Sequence, residues 1–233
     1  MNVWLSVRRL KLTDIKLLGG KMVQKRRTLL RRFSLDALIE QFTEIIDLLN
    51  ELGTPYHLEG GTLLGIVRDN NLLPWDDDTD LSINMEHLGE FHEAHKAIKA
   101  LGWRTKLRYF KEDTPFSKAG DIRVLKISDY WLANLKGLIR MDIFLKYPTE
   151  EYFCWSAADR YMRVNKEYYT GFDIISWNGR DLRVPKNYKA YLTEKFGNWA
   201  IPNKSWSAKG EGTVFGSPSH IKGPIMINQS KGS

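Results

Sequence analysis

Residues 74–81 read Pro74-Trp75-Asp76-Asp77-Asp78-Thr79-Asp80-Leu81 and place four carboxylates within five positions of the chain. Neighbouring carboxylates resist ionising together unless they are well solvated or surround a cation. In a strand from Thr79 to Ile83, alternate side chains share a face, so Asp78 and Asp80 would project to the same side. The stretch therefore predicts a β-strand that carries half of a magnesium site; the alternative is an acidic surface turn.

A pair of glycines, Gly60 and Gly61, precedes the acidic strand. They follow a short strand-like stretch, residues 56–58, and lead into an apolar, helix-compatible segment. Glycine tolerates positive φ and leaves the first N–H groups of a helix uncovered, which suits an anion. We therefore expect Gly60, Gly61 and Thr62 to hold the phosphates of a nucleotide. Arg68 would meet a phosphate oxygen or form an ordinary salt bridge.

A third carboxylate is expected on a neighbouring strand. Asp142 stands alone in an apolar, β-compatible run, residues 140–145. A charged residue in such a run needs a partner or a metal. We therefore interpret Asp142 as the third metal ligand; the alternative is an ion pair with Arg140 or a place at a strand edge. Asp76 and Asp77 are assigned no metal role.

Four collinear motifs resemble the LicD family of phosphotransferases, whose relatives include fukutin and the fukutin-related protein. The motifs lie at residues 60–68, 74–80, 141–144 and 184–188. The resemblance spans roughly residues 35–205. It implies a nucleotidyltransferase-like fold, α/β (α+β) in class, with a mixed β-sheet flanked by helices.

The resemblance also implies an activity. The expected enzyme moves a phospho-alcohol (phosphocholine, phosphoribitol or phosphoglycerol) from a CDP-activated donor to a hydroxyl of a glycan or lipid-linked glycan, and releases CMP. Asp78, Asp80 and Asp142 would hold one or two Mg²⁺, with Mn²⁺ as the alternative ion, and Asp142 could also accept the hydroxyl proton. Cell-surface polymers such as lipopolysaccharide, teichoic acid or capsule would be the products.

Two other classes of function stay open from the sequence. A nucleotidyltransferase that adds AMP or CMP to a small molecule would share the glycine pair and the Asp-x-Asp strand. A non-catalytic, membrane-associated module of glycan assembly would leave the carboxylates idle.

Composition sets limits on class and compartment. With 233 residues, 42% apolar and 27% charged, the chain suits one globular catalytic domain. Its one cysteine, Cys154, cannot form an internal disulfide, which favours a reducing compartment. We find neither a signal peptide nor an apolar run near the ~20 residues of a spanning helix. The expected location is cytoplasmic, either free or peripheral on the inner face of the membrane.

The positive charge is concentrated at the N-terminus. Residues 1–35 carry ten Lys and Arg against one acid, whereas the whole chain is only +7. Apolar residues alternate with these bases, as in an amphipathic segment on an anionic membrane. The alternative is a partly disordered or core-packed arm, since Gly19-Gly20 would interrupt a long helix. No recognised nucleic-acid-binding module is present, so nucleic acid is not an expected partner.

Periodicity predicts the remaining elements and the domain organisation. Apolar residues at helical spacing indicate a helix after the N-cap Ser34, ended by Gly53, and a second over 86–101. The expected strands cover 103–110, 121–127 and 140–146. The predicted domains are a basic amphipathic arm (1–33), a catalytic domain (34–205) that closes with a helical and loop segment, and a Gly/Ser-rich tail (206–233).

Overall fold

A computed structural model describes residues 34–131, 135–157, 160–202 and 214–216 of the chain. The expected basic arm, residues 1–33, lies outside the described residues, as does most of the expected tail. Within that tail, Val214–Gly216 forms a strand that pairs with the sheet. The division into three domains stays a prediction. No described helix is both long and apolar enough to cross a membrane.

Four helices and ten strands make up the described part. The helices are α1 (Leu35–Glu51), α2 (Gly60–Asp69), α3 (Leu88–Ala100) and α4 (Tyr188–Phe196). The strands are β1 (His57–Leu58), β2 (Asp78–Asn84), β3 (Arg104–Tyr109), β4 (Ile122–Trp131), β5 (Leu135–Pro148), β6 (Tyr152–Ala157), β7 (Arg160–Asn165), β8 (Phe172–Trp177), β9 (Arg180–Pro185) and β10 (Val214–Gly216). Single 3₁₀ turns cover Met85–His87 and Lys166–Tyr169.

Eight of the strands form one mixed sheet, which confirms the expected fold class. The order β1-β2-β5-β6-β7-β10 runs across it, and β3 and β4 extend the other edge of β5. Only β2 and β5 pair in parallel; every other described pairing is antiparallel. The strands β8 and β9 form a separate hairpin that contacts β1 and α4.

Helix α1 forms where the local sequence predicts it, and its apolar face packs against the sheet. The Ser34 hydroxyl accepts a hydrogen bond from the backbone N–H of Ala37 at 3.1 Å, which caps the helix as expected. Leu38, Phe42 and Ile45 repeat at helical spacing and are completely buried. This face packs on β2, β5 and α3. Full burial of each such side chain contributes roughly 1.5–3 kcal/mol, so the amphipathic face ties the helix to the sheet.

The two faces of the sheet differ in character. On β2, Leu81 and Ile83 are completely buried, and so are their register partners on β5, Ile143 and Leu145. These side chains belong to the apolar core that α1 and α3 cover. The intervening residues of the same strands project to the opposite face, which carries the charged groups described below.

The second half of the chain departs furthest from the sequence expectations. Strand β5 begins at Leu135, earlier than expected, because the antiparallel partner β4 also extends beyond Ile127. Strands β6 to β9 were not predicted at all. One signal was available: Asn178-Gly179, with φ of 49° and 72°, is the two-residue turn that joins β8 and β9.

Candidate active site

The three carboxylates expected to bind metal lie on adjacent strands. In the parallel register of β2 and β5, Asp80 stands beside Asp142 and Asp78 beside Arg140. Because Asp78 and Asp80 are two positions apart on one strand, their side chains share a face with Asp142. The structure therefore brings the three predicted ligands together, and their role as ligands stays a prediction.

The glycine pair begins helix α2 directly above this cluster. Gly60 has a φ of +52°, and a Cβ atom there would lie 3.0 Å from Asp80 Oδ2. At Gly61, a Cβ atom would collide with Oδ2 of Asp76. The Thr62 hydroxyl accepts a hydrogen bond from the backbone N–H of Asp80 at 2.8 Å. The glycines thus let the carboxylates approach the helix N-terminus, whose partial positive charge favours anions.

The protonation behaviour of the cluster shows a need for positive charge. Burial, followed by repulsion from Asp76 and Asp142, raises the pKa of Asp78 to about 6. Burial and the charges of Asp78, Asp142 and Asp76 raise the pKa of Asp80 well above its usual range, with Lys195 opposing them. Several carboxylates that resist ionising together form the donor set that a hard divalent cation prefers. The residues present therefore fit Mg²⁺ or Mn²⁺.

Asp76 and Asp77, which had no assigned role, have different surroundings. Carboxylate oxygens of Asp76, Asp77 and Asp78 lie within 4.8 Å of one another. Asp76 is half-buried against Gly61 and faces the cluster, and burial raises its pKa. Asp77 is exposed and forms an ion pair with Arg140. Asp76 is therefore a further candidate ligand, beyond the three that the sequence predicts.

A lysine that the sequence does not predict neutralises the third carboxylate. Lys126 on β4 stands opposite Asp142 in the antiparallel register of β4 and β5, and its Nζ forms an ion pair with Asp142 Oδ2. The alternative expectation, an ion pair between Asp142 and Arg140, is not what the structure shows, because Arg140 pairs with Asp77. No local pattern identifies Lys126, since its position depends on the pairing of two strands.

A buried network anchors the start of helix α2. Glu59, the residue before the glycines, is only 3% exposed and forms an ion pair with Lys146. Lys146 contacts Oε1 of Glu59, and Lys195 Nζ lies 4.0 Å from Oε2. The Tyr191 hydroxyl donates a hydrogen bond to the same Oε2 at 2.8 Å. The Tyr169 hydroxyl donates a hydrogen bond to Oε1 of Glu59. No local sequence pattern indicates this network, because its members are far apart in the chain.

Two lysines face the single carboxylate of Glu59 in this network, and burial lowers the pKa of Lys146 to about 7. Burial opposes ionisation of Glu59, but the charges of Lys146 and Lys195 lower its pKa to about 2. The Nζ atom of Lys146 also lies 3.9 Å from the ring centroid of Trp155 and 3.6 Å from that of Tyr169. Such contacts stabilise a buried cation. Glu59 thus stays ionised and holds the loop that positions Gly60.

A cleft of about 1090 Å³ opens beside the carboxylates. The glycine pair, Asp76 and Asp80 line one side of it. Aromatic side chains line much of the rest: Trp75, Phe144, Trp155, Phe196 and Trp199. Arg68 also reaches the cleft, but its guanidinium donates two hydrogen bonds to Asp69, at 2.8 Å and 2.7 Å. The structure thus shows the salt bridge that was the alternative for Arg68, and phosphate binding by Arg68 stays a prediction.

Comparisons with known proteins agree with the motifs. The family described as LicD/FKTN/FKRP, nucleotidyltransferase domain, matches residues 53–187, which is more than half of the chain. Ribitol 5-phosphate transferase FKRP of Homo sapiens is 26% identical over 180 residues, covering 74% of this chain and 33% of that protein. Ribitol-5-phosphate transferase FKTN of Homo sapiens is 26% identical over 167 residues, covering 69% and 32%. The chain thus spans about a third of the length of these relatives.

Two solved structures are more distant matches. The lincosamide antibiotic adenylyltransferase LnuA, bound to lincomycin, has a TM-score of 0.41 and 10% identity, covering 67% of this chain and 85% of that chain. ANT(2")-Ia in complex with adenylyl-2"-tobramycin has a TM-score of 0.38 and 15% identity, with coverages of 74% and 83%.

Proposed function

The chain belongs to the LicD family, and on this basis we propose that it transfers a phospho-alcohol from a CDP-activated donor to a glycan hydroxyl and releases CMP. The observation that carries the proposal is the convergence of Asp78, Asp80 and Asp142 beside a cleft and a glycine-led helix N-terminus. The names of the FKRP and FKTN relatives describe transferases of ribitol 5-phosphate, which is one cargo of this class.

Phosphoryl transfer requires from the protein mainly positioning and compensation of negative charge. Asp78, Asp80 and Asp142, with Asp76 as a further candidate, would hold Mg²⁺ or Mn²⁺, which when bound polarises the donor diphosphate and stabilises the leaving CMP. The N-terminus of α2 and the charge of Lys195, which lines the cleft, add positive potential on the same side. Asp142 is also our proposed acceptor for the proton of the acceptor hydroxyl.

The aromatic cleft suits the nucleoside and the alcohol of the donor. Trp75 is 69% exposed and lines the cleft together with Trp199, so a flat base can stack there. A quaternary ammonium would gain ~0.5–2 kcal/mol from each cation–π contact with such rings. CDP-ribitol and CDP-choline are therefore the first two donors to compare, and CDP-glycerol is the third.

The proposed function is tested by metal-dependent release of CMP. The purified chain is incubated with each CDP-alcohol, Mg²⁺ or EDTA, and a panel of glycan acceptors, and CMP and product are quantified by mass spectrometry. We expect CMP release that needs both metal and acceptor. If the nucleotide instead ends on the acceptor, the protein is a nucleotidyltransferase. If no CDP-alcohol binds or reacts with or without metal, the non-catalytic alternative is favoured.

The basic arm suggests where the reaction occurs. We propose that residues 1–33 hold the protein on the anionic, cytoplasmic face of a membrane, where lipid-linked acceptors reside. Each basic residue near such a surface contributes about 1 kcal/mol. Full-length protein should co-sediment with vesicles that contain phosphatidylglycerol and not with neutral vesicles. Replacing Arg26, Arg27, Arg31 and Arg32 by Gln should abolish this binding, and equal binding by the variant contradicts the proposal.

A further inference from the structure

A second, smaller cavity lies on the charged face of the sheet, on the β3 side of Asp142. Its volume is about 180 Å³, whereas a single water needs only ~10–15 Å³ of such space, so it admits a group of phosphate size. Five cations from three adjacent strands line it: Arg104, Lys106 and Arg108 of β3, Lys126 of β4 and Arg140 of β5. We call these five side chains the basic strip.

The strand register aligns the basic strip with the carboxylates. Lys106 pairs with Lys126, Lys126 with Asp142, and Asp142 with Asp80, so these four residues form one row across the sheet. A parallel row joins Arg104, Ser128, Arg140 and Asp78. Register partners in neighbouring strands project to the same face. The charge along each row therefore changes from negative on β2 to positive on β3.

Three of the five cations lack a counter-charge among the described residues. Lys126 is paired with Asp142 and Arg140 with Asp77. Among the residues that the structure describes, Arg104, Lys106 and Arg108 have no carboxylate partner. They occupy alternate positions of one strand and so project to one face, where like charges repel. An anion bound in the cavity would relieve this repulsion.

The geometry points to a phosphorylated acceptor. We propose that the basic strip binds a phosphate group of a glycan acceptor while the reacting hydroxyl of the same glycan reaches the carboxylates. This inference rests on the proposed function, because it assigns the acceptor of that reaction. The main cleft, with the glycine pair and the aromatic wall, is available to the donor. The acceptor then approaches from the opposite side, which the basic strip lines.

The sheet also sets the spacing that such an acceptor must have. Three strand-to-strand steps separate β2 from β3 in the order β2-β5-β4-β3. At about 4.8 Å for each step, a group held by Lys106 lies roughly 14 Å from Asp80. A phosphate held by the β3 cations must therefore sit at a distance from the reacting hydroxyl, whereas Lys126 and Arg140 of the same strip lie closer to the carboxylates.

Binding is tested without any turnover. The probe is glucose 6-phosphate, titrated into ¹⁵N-labelled full-length protein, with glucose as the neutral control. We expect glucose 6-phosphate to shift the backbone amide resonances of residues 104–108 and 124–128, and glucose to leave them unchanged. The triple variant Arg104→Gln/Lys106→Gln/Arg108→Gln should bind at least about tenfold more weakly, since contacts to charged groups contribute about 1.5–3 kcal/mol.

A matched control removes the same number of charges elsewhere. Lys99, Lys111 and Lys186 are exposed, and their replacement by Gln should leave the affinity unchanged. The donor diphosphate is the other source of phosphate, so the titration is repeated with saturating CDP. Unchanged shifts from glucose 6-phosphate support the acceptor assignment. Displacement by CDP, absence of shifts at these strands, or equal weakening by the control variant overturns it.

Kinetics then separate this inference from the proposed function. Once CMP release is established, the triple variant should raise the KM for a phosphorylated acceptor about tenfold or more, with the KM for the CDP-alcohol unchanged. Treating the acceptor with phosphatase should have the same effect on the wild type. If turnover exists but neither change alters the acceptor KM, the basic strip proposal fails while the proposed function stands.

Discussion

Glu59 and the aspartates Asp78 and Asp80 all lie near the start of helix α2, but they differ in how far nearby cations compensate their negative charge. Glu59 is surrounded by two lysines and two tyrosine hydroxyls, and these hold its pKa at about 2 despite its burial. Asp78 and Asp80 have other carboxylates as their nearest charged neighbours, and the pKa of Asp78 rises to about 6. The protein thus compensates Glu59 fully and leaves the aspartate cluster short of positive charge.

This difference is the one expected between a structural ion pair and a cluster that binds a metal ion. A buried carboxylate with complete compensation is stable by itself and gains nothing from a ligand. A cluster that repels itself costs stability in the absence of a cation, and that cost is recovered when a cation binds. Perturbed carboxylates of this kind concentrate at functional sites, although ion-pair networks also perturb pKa values. Substitutions at Glu59 test one side of the comparison, and substitutions at Asp80 and Asp142 test the other.

The largest effect is expected for Glu59→Gln. The change leaves Lys146 and Lys195 without their counter-charge in the interior, and breaking a buried ion pair from one side costs about 3–5 kcal/mol. Urea denaturation followed by circular dichroism should show this loss in the free energy of unfolding. Glu90→Gln on the exposed face of α3 is the matched control and should be neutral. A loss below about 1 kcal/mol at Glu59 would mean that the network is not compensated as described.

Asp80→Asn should reduce activity without reducing stability, in contrast to Glu59→Gln. Removing one of the repelling charges should leave the unfolding free energy of the metal-free protein unchanged or raised, because Asn keeps the shape of Asp. CMP release should fall about 10²–10³-fold, as for loss of a transition-state contact.

A metal titration sharpens the same prediction. In wild-type protein, Mg²⁺ at 100 times its Kd should stabilise the fold by about 2.7 kcal/mol, which a thermal scan detects as a raised Tm. This shift should disappear in Asp80→Asn and in Asp142→Asn, and persist in Glu90→Gln. A full Mg²⁺-dependent shift in either aspartate variant would remove that residue from the set of ligands.

His57 provides a third kind of buried group, one that is kept neutral. Its Nε2 donates a hydrogen bond to the carbonyl of Gly171 at 2.7 Å, and burial lowers its pKa from 6.5 to about 4. His57 therefore becomes protonated near pH 6.5 in the unfolded chain but only near pH 4 in the folded protein. Stability is complete above pH 6.5 and falls as the pH drops through this window, by up to about 3 kcal/mol.

The measurement is the unfolding free energy at several pH values between 7 and 4. Carboxylates also titrate in this range, so the His57→Asn variant is compared with wild type, and His92→Asn on the exposed side of α3 is the control. The slope between pH 6.5 and 5 should flatten only in the His57 variant. Parallel curves for all three proteins contradict a buried neutral His57.

The smallest effect is expected for Lys126→Met. Lys126 is partly exposed, so loss of its ion pair with Asp142 should cost at most about 1 kcal/mol of stability. The same lysine competes with a cation for Asp142, and its removal should tighten Mg²⁺ binding about two- to fivefold, as measured by the thermal shift. Lys106→Met is the control, because Lys106 lies one strand further from Asp142 than Lys126 does. Weaker Mg²⁺ binding in Lys126→Met would show that Lys126 supports the site.

Part of the candidate site could be predicted from local sequence because its residues share one strand or one turn. The phase of β2 places Asp78 and Asp80 on one face, and the glycine pair precedes a helix as expected. Lys126, Lys146 and Lys195 could not be found in this way. Each becomes important only through a partner on another element, and no periodicity in the chain connects them to that partner.

The features that can be read from the chain alone are local: helix α1 with its Ser34 cap, the strand alternation around Asp80, the lone Asp142 in an apolar run and the family motifs. Packing of the sheet, in contrast, places β5 parallel to β2 in the register that sets Asp142 next to Asp80. It also decides which cations neutralise which carboxylates. The physical reason is that side-chain periodicity acts over a few residues, whereas charge pairing depends on chain segments that only the packed core brings together.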